Sequence, residues 1–263
     1  MTLLLDTHAR TGTIARINPV AKLGAAFLVA VPLVFTIDIV SAATALVLEA
    51  LLLPFAGLGW REFWVRTWPV WLAAPLTAVT IALYGQQSGT VYVDGWIVHI
   101  SSGSLQLAIA TMFRVLAVAL PSVVLFATVD PTDLADGLGQ VLHLPARFVM
   151  GGLAGLRMVG LFLDDWRALE LARRARGVAD RGRLRRFLGM AFALLVLSLR
   201  RGSKLATAME ARGFGAPGER TWARESRFGG REWAMLGLGA AIAAISVAAA
   251  VAAGTWNFIL GPA

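Results

Sequence analysis

Residues 105–129 read LQLAIATMFRVLAVALPSVVLFATV, and DPTD follows at once at 130–133. The apolar stretch contains one charged side chain, Arg114, and is longer than the about 20 residues that a helix needs to cross a bilayer. Asp130 can cap a new helix that begins at Pro131, since proline is favoured at the first helical position. A span followed directly by a helix start predicts an all-α, integral membrane protein with further helices outside the lipid.

The composition of the whole chain agrees with this prediction. Its 263 residues are 57% hydrophobic and 15% charged, and the mean hydropathy is +0.70, whereas soluble domains carry about 25% charged residues. Cysteine is absent and only three histidines occur, which argues against a disulfide framework, a thiol nucleophile or a Cys/His metal site. Any chemistry must therefore come from arginine, aspartate, glutamate or the backbone, and we single out no metal ligand, cofactor or catalytic residue.

Four other stretches come close to the length and composition of a membrane-spanning helix. They are Val20–Ile37, Ile39–Leu58, Trp68–Tyr84 and Trp233–Ala253. Arg10, Arg16 and Lys22 lie before or at the start of the first span, whereas residues 85–104 contain no lysine or arginine. Because lysine and arginine are retained in the cytoplasm, we expect a multi-pass protein of the cell membrane with about five spans and a cytoplasmic N-terminus.

Most of the basic residues lie in one segment. Residues 147–232 hold 18 of the 24 lysines and arginines but only 8 of the 16 acidic residues. This predicts three regions: an N-terminal membrane region with four spans (1–129), a cytoplasmic helical region (130–232) and a C-terminal span (233–263). The basic loop 181–186 is expected to contact anionic lipid headgroups of the bilayer rather than nucleic acid.

Two long helices are predicted in the cytoplasmic region. One runs from Pro145 to Arg176 and the other from Leu184 to Arg212, and a glycine follows each helix as a possible C-cap. The second helix keeps apolar residues at helical spacing through its charged half, which is typical of an amphipathic helix. Its apolar stripe must therefore pack against another surface.

Both long helices end in the same three residues, 36 positions apart. The two motifs are Ala175-Arg176-Gly177 and Ala211-Arg212-Gly213. Plain capping explains either motif alone, because a cation complements the C-terminal end of the helix dipole and glycine adopts the left-handed cap conformation. The repetition favours a second role, since two arginines at two helix ends suit bidentate docking into two acidic grooves of a partner.

In its context, the second motif resembles the signature of the transmembrane T component of energy-coupling-factor (ECF) transporters. The matching stretch is LATAMEARGFG at 205–215, followed by Arg220-Thr221. Three further stretches are similar to that family in the same order: INPVAKL at 17–23, DPTDL at 130–134 and ARG at 175–177. The resemblance therefore covers the chain from residue 17 to about 221.

The resemblance implies a non-catalytic subunit of an ATP-driven importer for vitamins or transition metals. In such an importer, a membrane S component captures the substrate, two cytoplasmic ABC ATPases hydrolyse ATP, and the T component joins them. Each motif arginine would dock in a groove of one ATPase, with Arg173, Arg174 and Glu210 as supporting residues. The two arginines beside the first motif depart from the family pattern, although Arg176 remains our choice for the docking residue. The chain also lacks a Gly-rich, Lys-Ser/Thr phosphate loop, so partners must supply the ATPase.

Two pairs of residues in apolar helices are expected to contact other groups. Gly151 and Gly155 lie one helical turn apart and form a small-residue face that permits close helix approach. Its partner could be the other long helix of this chain or the S component. Glu49 and Arg114 lie at similar predicted depths in their spans, so we expect an internal ion pair, with a substrate or proton site as the less favoured alternative.

Two other functions compete with this interpretation. An intramembrane transferase for lipid-linked substrates could use Asp164 and Asp165 around a metal, but a single acidic pair is weak support. A conventional ABC importer permease also docks on an ATPase, but through one docking loop per subunit in a dimer. Two motifs on one chain favour a T component that serves two ATPases as a monomer.

Overall fold

The computed structural model describes residues 14–85, 88–94, 99–177, 182–215 and 221–256. Within these residues the chain forms eight α-helices and one short β-hairpin. The helices are α1 (Pro19–Phe35), α2 (Ile39–Leu52), α3 (Trp60–Tyr84), α4 (Ser102–Ala127), α5 (Pro131–Gln140), α6 (Ala146–Ala175), α7 (Arg183–Ala211) and α8 (Gly230–Ala252). The N-terminal residues before 14, Arg181 of the basic loop and Arg220 lie outside the described residues.

In the described part of the chain, five helical segments are long and apolar enough to cross a membrane, which confirms an all-α membrane protein. They are Ile39–Ala56, Trp60–Tyr84, Ser102–Ala127, Ala146–Ala175 and Gly230–Ala252. Two details differ from the sequence prediction. The first predicted span is a shorter apolar helix of 17 residues, α1. Helix α6 qualifies as a span because residues 148–163 contain only one charged side chain, Arg157.

A β-hairpin precedes α4. It lies in the segment 85–104, for which the sequence analysis noted only the absence of lysine and arginine. It consists of β1 (Val91–Asp94) and β2 (His99–Ser101), which pair in antiparallel register with Val91 opposite Ser101. Ser101 ends the hairpin and caps α4, because its side chain accepts a hydrogen bond from the backbone N–H of Ser104. The hairpin thus leads directly into the fourth helix.

The structure consists of two compact units, which divide between residues 134 and 135 and between 225 and 226. The membrane unit contains α1–α4 and α8, and the helical unit contains α6, α7 and most of α5. Each unit is built by contacts among its own helices.

The core of the membrane unit is formed by small and branched apolar side chains. One buried cluster comprises Val29, Leu33, Ala45, Ala117 and Ile242, from α1, α2, α4 and α8. The crossing of α1 and α8 depends on Gly239, since a Cβ atom there would lie 2.8 Å from the carbonyl oxygen of Ala25. A side chain at this position would separate the two helices.

Polar caps hold the ends of these helices together. The Asn18 side chain accepts a hydrogen bond from the N–H of Val20 (3.0 Å) and caps α1, as expected for asparagine at this position. Its backbone N–H donates to Glu232 (3.3 Å), whose carboxylate also accepts from the N–H of Gly229 (2.9 Å). One glutamate thus joins the starts of α1 and α8.

Two cations meet the C-terminal end of α4. The ammonium of Lys22 is buried and donates to the carbonyl oxygen (3.2 Å) and hydroxyl oxygen (3.1 Å) of Thr128. Arg66 donates to the carbonyl oxygen of Ala127 (3.0 Å). Positive charge is favourable here because the last carbonyl groups of a helix carry partial negative charge.

Candidate functional site

The end of α6 has the geometry of a glycine C-cap. Arg176 occupies the C-cap position, and Gly177 has a φ of 66°, a left-handed conformation that glycine adopts without steric cost. The N–H of Gly177 donates to the carbonyl oxygen of Arg174 (3.0 Å). The sequence prediction placed this helix end within one residue.

The end of α7 repeats the same geometry. Arg212 is the C-cap, Gly213 has a φ of 77°, and the N–H of Gly213 donates to the carbonyl oxygen of Glu210 (2.9 Å). The N–H of Phe214 donates to the carbonyl oxygen of Met209 (3.0 Å), which completes the paired hydrogen bonds of a Schellman motif. Capping is therefore real at both ends, and it leaves the two arginine side chains free for another role.

The structure distinguishes the three arginines near the first motif. Arg174 forms an ion pair with Glu170 (2.8 Å) one turn earlier. The guanidinium of Arg173 lies against Gly189 of α7, 3.0 Å from where a Cβ atom would be. Arg176 is exposed and has no side-chain hydrogen bond or ion pair among the described residues. The two neighbours bind within the chain, whereas Arg176 points its charge to solvent.

Arg212 is exposed in the same way, and Glu210 beside it is exposed too. A Cβ atom built on Gly177 or on Gly213 would meet nothing within 4 Å. Among the described residues, no part of the chain covers either helix end. Both ends are therefore accessible surfaces that a partner could contact.

The two ends lie far from each other along α7. Arg173, one turn before Arg176, contacts Gly189 near the start of α7, and Arg212 lies 23 residues beyond Gly189. At 1.5 Å per residue this corresponds to about 34 Å along the helix. The end of α6 thus lies near the start of α7, and Arg212 lies at the other end of α7, an arrangement that suits two separate docking sites.

Side-chain contacts between α6 and α7 lie on either side of their crossing. Trp166 packs against Phe187 with ring centroids 5.6 Å apart, and Glu170 forms an ion pair with Arg186 (2.6 Å). Farther along α7, Arg201 binds the carboxylate of Asp165 (2.6 Å). These contacts hold the second half of α6 against α7. We call this set of contacts the α6–α7 junction.

A groove of about 1090 Å³ opens between the first half of α6 and the last part of α7. Its floor is apolar, with Leu153, Leu205 and Met209 among the lining residues. Four arginines also line it: Arg147, Arg157, Arg201 and Arg212. Arg147 and Arg157 were not among the residues that the sequence singled out. From the sequence, helical periodicity could have indicated that Arg147 and Arg157 lie on the same side of α6. It could not have indicated that they lie beside Arg212.

Gly151 and Gly155 do not contact α7. Both are exposed, and a Cβ atom on either would meet nothing within 4 Å. The α6–α7 junction lies about ten residues or more farther along α6. The second long helix of this chain, one of the two partners considered, therefore does not pack on this glycine face.

The expected ion pair between Glu49 and Arg114 is not formed. Both carboxylate oxygens of Glu49 and one terminal nitrogen of Arg114 are buried without a hydrogen-bond partner within the part of the chain that the structure describes. The charge that interacts with Arg114 is instead that of Asp38, the N-cap of α2. The prediction was wrong because it set the two helices in the wrong register.

The register follows from the packing of α2 on α4. Ala45 shares a buried cluster with Ala117, and Glu49, one turn later, lines a cavity with Pro121 and Val124. Arg114 thus lies at least one turn away, near the start of α2. The sequence count assumed that both helices start at one level, but α4 has 26 residues and α2 only 14.

The acidic pair of the transferase hypothesis is already engaged within the chain. Asp165 binds Arg201, and Asp164 lies 3.6 Å from Arg167 one turn along the same helix. Among the described residues, no group of three or more His, Asp or Glu side chains could hold a metal ion. Nothing in the described part of this region resembles a metal-dependent transferase site.

The sequence of the chain matches a known protein family over most of its length. Residues 11–222 match the family described as CbiQ, cobalt transport protein. This range includes α1–α7 and both helix-end motifs.

Curated relatives share the same description over most of their length. An energy-coupling factor transporter transmembrane protein EcfT from Limosilactobacillus fermentum is 29% identical over 197 residues, 69% of this chain and 73% of the relative. The protein of that name from Streptococcus equi is 27% identical over 221 residues, 79% of this chain and 81% of the relative. That from Exiguobacterium sibiricum is 27% identical over 243 residues, 86% of this chain and 90% of the relative.

Proposed function

Because the chain belongs to the CbiQ family of cobalt transport proteins, we propose that it is the T component of an ECF-type importer. It is a multi-pass membrane subunit of a transporter and not an enzyme. Its task is to transmit ATP-driven motion from two cytoplasmic ABC ATPases to a substrate-binding S component. The importer would take up a vitamin or a transition-metal ion, and the S component would select it.

One observation carries the docking part of this proposal. Arg176 and Arg212 end two long helices with the same cap, both are exposed, and the described residues offer neither of them an ion-pair partner. An exposed guanidinium at a fixed backbone position can form bidentate hydrogen bonds with a carboxylate. Each arginine would therefore enter an acidic groove on one ATPase, with Glu210, Arg173 and Arg174 beside it.

The groove next to Arg212 would extend that contact. Arg147 and Arg157 line it together with Arg212, so an acidic segment of the ATPase would meet several cations above an apolar floor. Charge complementarity of this kind speeds association and selects the partner. The contact at the second motif would therefore involve more of the chain than one helix end.

The α6–α7 junction suggests how motion passes through the helical unit. Closure of the ATPase dimer would displace the two helix ends relative to each other. Because the junction holds α6 against α7, this displacement would rotate one helix against the other. The first half of α6 lies on the far side of the junction from Arg176. It would then move against the partner protein that it contacts.

The surface of that half of α6 suits a membrane partner. Phe148, Gly151, Gly155 and Val159 follow helical spacing, and all four are exposed. Small residues among large apolar ones allow a partner helix to approach closely and to slide. We assign this face to the S component, and the 30-residue α6 would join it to the ATPase.

Loop charges support the membrane orientation. Arg61 and Arg66 lie at the start of α3, and residues 147–232 hold most of the basic residues. By the positive-inside rule, these segments and the N-terminus face the cytoplasm. The cytoplasmic side is also where ATP and ABC ATPases are found, so the orientation and the proposed docking agree.

Purification of the tagged chain from native membranes tests the proposal. Mass spectrometry should identify two ATPase copies or types and one small, very hydrophobic membrane protein with it. Recovery of a dimer of this chain with one ATPase per subunit would instead indicate a conventional ABC permease. Metal-dependent turnover of a lipid by the isolated chain would indicate the transferase.

A further inference from the structure

A cavity of about 500 Å³ in the membrane unit has a lining that the transport role does not explain. Side chains of α1, α2, α4 and α8 line it, and nearly all are apolar, including Val29, Leu52 and Ile242. The two charged residues in the lining are Glu49 and Arg231. Its size is within the about 300–1,000 Å³ of small-molecule sites.

Glu49 lacks the partner that its position demands. It is 5% exposed, and neither of its carboxylate oxygens has a hydrogen-bond partner in the described chain. A buried, unpaired carboxyl group is costly, and one inside a membrane helix is more so. Arg114 lies at another level of the unit, and within the part of the chain that the structure describes neither Arg114 nor Arg231 donates a hydrogen bond to Glu49. A bound ligand could therefore supply the missing donor.

Arg231 is the second charged residue of the cavity, and its positive charge would attract an anionic group of a ligand. It is exposed, lies in the first turn of α8 and lines the same cavity as Glu49. Its acidic neighbour Glu232 already accepts hydrogen bonds from the backbone of Asn18 and Gly229. The Arg231 guanidinium can donate two parallel hydrogen bonds to a phosphate group.

We propose that this cavity binds a phospholipid with a primary-amine headgroup, with the ammonium at Glu49, the phosphate at Arg231 and the acyl chains along the apolar lining. Each part of the ligand follows from one part of the site. An anionic lipid without an amine would leave Glu49 unpaired, and a simple long-chain amine would offer Arg231 no phosphate to bind. A choline lipid has the right charges, but its quaternary ammonium has no N–H to donate to the buried oxygens.

Lipid binding by the purified full-length chain tests this directly. The probes are phosphatidylethanolamine, phosphatidylcholine and phosphatidylglycerol with identical acyl chains, mixed in equal amounts in detergent micelles. Native mass spectrometry counts the lipids that remain bound. We expect retention of phosphatidylethanolamine over phosphatidylcholine by about tenfold, because a charge-assisted hydrogen bond is gained.

Single substitutions test whether the preference for phosphatidylethanolamine arises in this cavity. Glu49→Gln should reduce the ethanolamine-over-choline ratio to near one, and Arg231→Gln should weaken retention of both zwitterionic lipids. The matched control is Glu62→Gln, since Glu62 is half exposed and pairs with Arg66; it should keep the wild-type ratio. Dodecylamine should compete poorly with phosphatidylethanolamine.

Several results would overturn the proposal. Equal retention of the ethanolamine and choline lipids by the unmodified chain would do so without any variant, even if Glu49→Gln failed to fold. An unchanged ratio in a folded Glu49→Gln protein would place the lipid elsewhere. Preferred retention of phosphatidylglycerol, or stronger binding of dodecylamine, would contradict the assigned charges. None of these outcomes depends on ATPase docking, so the proposed transport function is tested separately.

Discussion

Arg201 of α7 donates two hydrogen bonds to the carboxylate of Asp165 in α6, at 2.6 Å and 3.3 Å. The two residues are 36 positions apart, as are Arg176 and Arg212. Each therefore lies 11 positions before the arginine that ends its own helix, or about 16 Å by helical rise. The Asp165–Arg201 ion pair is thus equidistant, along each helix, from the two proposed docking residues.

This relationship predicts that the ion pair matters more for coupling than for folding. Asp165 and Arg201 have side chains 22% and 39% exposed, so losing the pair should cost below about 1 kcal/mol of stability. Asp165→Asn should nevertheless lower substrate uptake by cells several-fold, because displacement of one helix would be passed less completely to the other. The exchange Asp165→Arg with Arg201→Asp should restore much of the uptake.

The neighbouring pair provides the control. Asp164 and Arg167 lie within one helix, at 3.6 Å and with exposed side chains, so Asp164→Asn should leave uptake unchanged. If Asp165→Asn and Asp164→Asn gave the same uptake, the Asp165–Arg201 pair would have no role in transmitting motion.

Lys22 should be one of the main stabilising charges of the membrane unit. Its buried ammonium makes two hydrogen bonds to Thr128 at the end of α4. Lys22→Met should lower the free energy of unfolding by about 2 kcal/mol, visible as a lower melting temperature in detergent. Lys204→Met on the exposed side of α7 should have little effect. An equal effect of both changes would mean that the Lys22 cap contributes nothing specific.

Gly239 should tolerate no side chain. A Cβ atom there would lie 2.9 Å from the Cα and 2.8 Å from the carbonyl oxygen of Ala25, so Gly239→Ala should force α1 and α8 apart at a cost of about 1–3 kcal/mol. Gly237→Ala, two residues earlier in the same helix, meets nothing within 4 Å and should be neutral or slightly stabilising. Thermal unfolding of the two variants compares them; a stable Gly239→Ala protein would contradict the observed crossing.

The three arginines at the end of α6 should differ in function. Arg174→Gln breaks an ion pair with Glu170 inside the helix and should retain most ATPase binding. Arg176→Gln should weaken binding at least tenfold, as expected for the loss of one buried, charge-assisted contact. Titration of immobilised variants with the purified ATPases measures this. The reverse order would move the docking role to Arg174.

The helix ends were predictable from local sequence. Proline, aspartate and glycine act within a few residues of where they stand, so the start of α5 and the ends of α6 and α7 were placed to within one or two residues. Apolar length identified four of the five span-length segments found among the described residues, but it missed α6 and counted the shorter α1 as a span. Four motifs in a fixed order also indicated the family, and the match over residues 11–222 confirms it.

Relations between helices were not predictable in the same way. The pairing of Glu49 with Arg114 required the register of α2 against α4, which depends on how far each helix extends and on the packing of Ala45 near Ala117. The groove that joins Arg157 to Arg212 depends on the crossing of α6 and α7. A single sequence gives the period of each helix but not the contacts that set their relative position.

Docking of Arg176 and Arg212 on two ATPases can be tested by co-purification of the ATPases with charge-reversed variants. Arg212→Glu and Arg176→Glu should each lose ATPase association while the protein remains folded, because a carboxylate at an acidic groove is repelled. Arg200→Glu, exposed on α7, and Arg167→Glu on α6 should co-purify the ATPases at wild-type levels. Normal ATPase recovery with the Arg176→Glu, Arg212→Glu double variant would contradict the account.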